Sequence, residues 1–84
     1  MNNRKKPKET RWHGSFRLDL SAVEIEGVWY PEFAISRCDG FVIPWQRPAT
    51  GGYTSEAEAL NSAATLAIAE ANYWREVTYK LKLL

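Results

Sequence analysis

Cysteine is almost missing from this chain, with Cys38 alone among 84 residues. One thiol closes no intramolecular disulfide and builds no multi-cysteine metal site, so the fold must hold by packing, and a reducing compartment suits it. Histidine is as scarce. His13 has no second histidine or cysteine to share a metal with, and Cys38 has only Arg37 beside it to lower its pKa. No catalytic residue, metal or cofactor is therefore expected, and the chain reads as non-enzymatic. Long apolar runs are lacking too. The longest weakly apolar stretch, 63–69, falls far short of the ~20 residues that span a bilayer, and the basic N-terminus leads into Thr10-Arg11-Trp12-His13 instead of a signal peptide's apolar segment. The expectation is a cytoplasmic protein without membrane contact.

Other chemistry is excluded by residues that are present. Gly51-Gly52 precedes a helix but lacks the Gly-Lys-Ser/Thr ending of a phosphate-binding loop, and Glu56 and Glu58 repel phosphate from that helix start. The lysine cluster with which double-stranded-RNA-binding domains meet phosphate at a helix start is replaced by Ser55-Glu56-Ala57-Glu58. Glu24 and Glu26 share one face of a strand, whereas glycosidase carboxylates must stand across a cleft. A small-ligand role requires a pocket between Trp29, Trp45 and the loop 48–52.

What the chain has is aromatic area and uneven charge. Four Trp, four Tyr and three Phe supply apolar surface for a core. A chain of this size forms one domain and buries only ~60 % of its unfolded surface, so association with a partner would add stability. Residues 1–11 carry five basic side chains against Glu9, a net +4, while 12–84 carry six against nine acidic ones, a net −3. With no apolar periodicity from 1 to 10, residues 1–11 read as a flexible basic arm and 12–84 as a single domain.

Phe16-Arg17-Leu18-Asp19-Leu20 alternates with period two, which predicts a strand with Phe16, Leu18 and Leu20 on one face. Val23 and Ile25 continue the alternation in the opposite phase, as a β-bulge near Ser21-Ala22 produces. After Glu26-Gly27, residues 28–36 form a second strand with Trp29, Phe33 and Ile35 aligned, and Asp39-Gly40 leads to a third, 41–46, with Phe41, Ile43 and Trp45 aligned. Pro31 and Pro44 mark incomplete ladders.

From residue 53 onward there is neither glycine nor proline. Ser55 and Glu58 form a capping box, and a long alanine-rich helix follows. Its stripe of Ala57, Leu60, Ala64, Ala67, Ile68 and Ala71 matches small side chains to the large ones of the sheet. Val77, Tyr79, Leu81 and Leu83 alternate with Thr78, Lys80 and Lys82. Continued helix is the reading, with a short fourth strand at 77–84 as the alternative. The fold class is α+β: a three-stranded antiparallel sheet followed by one long C-terminal helix on one sheet face.

No second helix is available for the other face, which carries Arg17, Asp19, Val28, Tyr30, Glu32, Ala34, Val42 and Gln46. Tyr73 and Trp74 are adjacent on the helix, ~100° apart, so one stripe cannot bury both. The expected function is a small interaction protein that self-associates into a homo-oligomer through Val28, Tyr30, Val42, Tyr73 and Trp74, exposed aromatics being enriched at interfaces. The alternative is weak nucleic-acid binding by Arg4, Lys5, Lys6, Lys8 and Arg11, with Trp12, Trp29 or Tyr30 as stacking platforms.

Overall fold

The computed structural model describes residues 5–82. Four strands, β1 (Glu9–His13), β2 (Phe16–Ile25), β3 (Val28–Arg37) and β4 (Val42–Gln46), precede one helix, α1 (Glu56–Lys82). The strands form an antiparallel meander in the order β1-β2-β3-β4, and α1 packs on one face, chiefly over β2 and β3. The fold is α+β with one long C-terminal helix, as expected, but with four strands instead of three. The additional strand is β1: Glu9, Thr10 and Arg11, assigned from sequence to the arm, pair with Leu20, Asp19 and Leu18. Met1, Asn2, Asn3 and Arg4 lie outside the described residues.

β2 and β3 pair residue for residue from Phe16↔Arg37 to Ile25↔Val28, with no bulge at Ser21-Ala22. Ala22 continues the buried face of Phe16, Leu18 and Leu20, while Val23 and Ile25 fall on the opposite face, beside Tyr30 and Val28. Cross-strand apolar pairs at this end remove the need for a phase change. The hairpin turns on Glu26 and Gly27, both at positive φ (52° and 79°), the geometry of a type I′ turn that matches strand twist.

The expected bulge is found elsewhere. Ile35 pairs with Ile43 but Phe33 with Gln46, so three β4 steps match two β3 steps. Pro44, which has no N–H for a ladder, sits at the slip. The extra residue reverses the rest of β4. Gln46 joins Phe33 on the helix face and Trp45 turns to the other side, where sequence alternation placed them the other way round.

Ser55 caps the helix, its Oγ accepting from the Glu58 N–H at 3.2 Å, and Thr54 Oγ1 donates to the Glu58 carboxylate at 2.9 Å. The helix continues to Lys82, so residues 77–82 form no fourth strand; Leu83 and Leu84 lie outside the described residues. Absence of a turn residue decides this against the alternation. The core joins Phe16, Leu18, Leu20, Phe33 and Ile35 to Ala63, Ala64, Ala67 and Ala71, with Ala59 also at 0 % exposure. Ala57, expected inside, is exposed, the stripe running instead through Ala59 and Ala63.

At 1.5 Å per residue the 27-residue helix is about 40 Å long, against roughly 33 Å for a ten-residue strand. Ala71 is the last fully buried helix residue. The C-terminal turns thus carry side chains that the sheet cannot cover. None of the described helix is long and apolar enough to cross a membrane.

Candidate interaction surfaces

The C-terminal half of α1 and the β3–β4 turn make the first surface. Arg37 stacks its guanidinium over Phe16 and Phe41, 4.9 and 4.8 Å from their ring centres, and closes that end of the core. Phe41 packs on Phe16 and Trp74, both at 5.8 Å between centroids. Trp74 is half-buried and donates its indole N–H to Glu70 at 2.8 Å. It borders a cleft of about 350 Å³ with Phe33, Ile43 and Leu66. Tyr73 stands edge-on to Trp74 at 5.2 Å and is 58 % exposed. The neighbouring pair therefore divides between cleft and solvent.

Asp39 holds the turn beside this surface. The Arg37 Nε donates to both its carboxylate oxygens, at 3.0 and 3.1 Å, and the Phe41 N–H to one of them at 3.2 Å. These bonds favour the ionised form and hold Asp39 below its ordinary pKa. Cys38 is exposed.

The face away from α1 is not bare. Ser21 and Glu32, opposite each other on β2 and β3, are 2 % and 6 % exposed. The Glu32 carboxylate is held by Lys5 and by Arg47, whose Nη2 and Nε lie at 2.8 and 2.9 Å. Lys5 also lies over Trp45, 5.2 Å from the ring centre. Residues preceding β1 thus reach across this face. At its other end Gly52 packs against Val28 and Tyr30, leaving both half-buried.

The candidate residues do not form one patch. Val28 and Tyr30 lie near the start of β3, Val42 is 63 % exposed at the far end beside Ser36, and Tyr73 and Trp74 belong to the helix. Trp29 and Trp45 point to opposite faces and line no common pocket. The most exposed large apolar residues include three outside the expected interaction set: Trp12 at 69 %, and Tyr79 and Leu81 at 64 % each. Trp12 stands on a strand without apolar alternation. Tyr79 and Leu81 are legible only once the helix is known to outrun the sheet.

Three of the five basic candidates are engaged within the chain. Lys8 donates to Glu56 at 2.5 Å and lies 5.7 Å from the Trp29 ring centre, Arg11 pairs with Glu9, and Lys5 with Glu32. Lys6 is exposed, and Arg4 lies outside the described residues. His13 shares a 2.7 Å hydrogen bond with Asn72, joining β1 to α1. Among the described residues, no three His, Cys, Asp or Glu side chains converge as a metal site. Comparison of the chain with protein-family models, curated proteins and solved structures finds no match.

Proposed function

We propose that this chain is a small non-enzymatic interaction module that associates with a second copy of itself. The observation that supports this reading is the placement of its large apolar side chains. The helix meets the sheet mainly through alanines, while Trp12, Val42, Tyr73, Tyr79 and Leu81 each stand more than half exposed. Large exposed aromatics are the residues that anchor interfaces, and a domain of this size gains stability from a partner. A cytoplasmic setting belongs to the same proposal and is supported by the lone, exposed thiol of Cys38. Sedimentation velocity over a wide concentration range tests the reading: a rise in mass towards twice the monomer value is expected, and a monomer throughout rejects it.

Weak nucleic-acid binding is the second reading, supported by the exposed Trp12 ring and by the exposed Lys6 ahead of β1. The engagement of Lys5, Lys8 and Arg11 by the chain's own carboxylates favours the first. Salt-dependent binding of single-stranded oligonucleotides, lost on deleting residues 1–8, would reverse that preference.

A further inference from the structure

The sheet has two edges of different character. β4 carries Pro44 and a bulge, which spoil its outer row of hydrogen-bonding groups. β1 keeps one register with β2 from Glu9 to His13 and contains no proline; the slip at which the Lys8 N–H bonds to the Leu20 C=O lies just before it. Its pairing with β2 is closed by the two-residue loop Gly14-Ser15, which makes His13/Phe16 a hydrogen-bonded pair. Alternation then turns the N–H and C=O of Arg11 and Glu9 towards β2, and those of Thr10 and Trp12 outward. Among the described residues no strand pairs with this outward row, and such a row is a template for another strand.

Charge selects the register. Two identical strands pairing antiparallel are related by a two-fold axis through one residue. An axis at Arg11 opposes two guanidiniums, and an axis at Trp12 opposes Arg11 to His13. With the axis at Thr10, Glu9 of each copy faces Arg11 of the other, and opposite charges directly across a pair are favourable. Glu9 and Arg11 already share a side of β1, where they pair within the chain. Both are exposed or half-exposed and free to change partner.

We propose that a second copy of this chain docks antiparallel on β1 with Thr10 at the two-fold axis, forming one eight-stranded sheet. Both helices then lie on one face and both Trp12 rings on the other. The inference rests on the self-association reading; of the exposed apolar side chains that support that reading, Trp12 lies on this edge. A single pair of short strands buries little area, so the dimer is weak and concentration-dependent, in the micromolar range or above.

The test is sedimentation velocity on the full chain from roughly 10 to 500 µM, a range suited to so small an interface. Wild type is compared with Glu9→Lys, Arg11→Glu, an equimolar mixture of these two, and Thr10→Pro, with far-UV circular dichroism confirming the fold of each. Glu9→Lys and Arg11→Glu each weaken dimerisation about tenfold, because each places like charges across the axis twice. Their mixture restores it, since every charge then meets its opposite on the other chain. Thr10→Pro removes an outward N–H that β2 does not use and gives a monomer. A wild-type dimer that none of these changes affects overturns docking at β1 and leaves self-association standing. A monomeric wild type overturns both.

Discussion

Trp29 and Tyr53 exchange both of their backbone hydrogen bonds, at 2.9 and 2.8 Å. This isolated bridge fastens the end of the long loop to the start of β3, and the helix begins three residues later. The Tyr53 hydroxyl donates a 2.9 Å bond to Ser62, nearly two turns into α1. The residue before the bridge, Gly52, is therefore pressed onto the sheet.

Replacing Gly52 by alanine should lower stability by about 1–3 kcal/mol, the usual range for overpacking. The new Cβ would collide with Val28 Cγ1 and approach the Tyr30 ring at 3.3 Å. Gly51→Ala meets nothing within 4 Å and should stay within about 0.5 kcal/mol of wild type. Urea denaturation of the two variants measures the difference.

Ala67→Leu should cost about 1–3 kcal/mol, because Ala67 has no exposed surface and its neighbours on the sheet are large. Ala69→Leu, on the exposed side of the same turn, should be close to neutral. Thermal melts that rank the two equally would contradict the alanine interface.

Glu32→Ala leaves Lys5 and Arg47 as neighbouring cations over a buried position. A loss of about 1–3 kcal/mol is expected, below the value for a fully buried pair because both cations are partly exposed. Added salt should recover part of it by screening the two cations. Denaturation at low and high salt gives both quantities.

Asp39 should titrate below its ordinary value of 3.8, held down first by its hydrogen bonds to Arg37 and then by the Phe41 N–H. Because the folded value is the lower one, its contribution to stability is present above the unfolded pKa and is lost as pH falls through the folded one. Arg37→Gln should move the carboxyl resonance midpoint upward in an NMR titration.

Elements that carry their own local code were legible in the sequence. The helix announced itself through Ser55, Glu58 and the alanines, and the central strands through Phe16, Leu18, Leu20, Phe33 and Ile35. β1 was not legible, because an edge strand with Glu9, Arg11 and His13 on its inner side has no apolar alternation to find. Its membership of the sheet depends on β2 being present to pair with. The reversal of Trp45 and Gln46 depends on where the ladder slips beside Pro44, a matter of register that strand periodicity does not encode.

Among the interaction candidates, the sequence shows that Tyr73 and Trp74 cannot share one stripe but not which of them leaves it; the structure turns Tyr73 to solvent. Trp74 went to the cleft because Phe41 and Glu70 hold it there. Val28 and Tyr30 have no second helix over them, but the loop at Gly52 partly covers them. Lys5 and Lys8, grouped with an unstructured tail by composition, are instead tied to Glu32 and Glu56, residues distant in sequence.

The meander also bears on how the chain finds its shape. Every strand pairs only with its immediate predecessor or successor, through turns of a few residues. Little chain must be looped out before the first interstrand contacts form, so zippering from the tight reversals at Gly14 and Gly27 meets a small entropic barrier. Docking of the helical rod against the growing ribbon is left as the step that closes the longest loop.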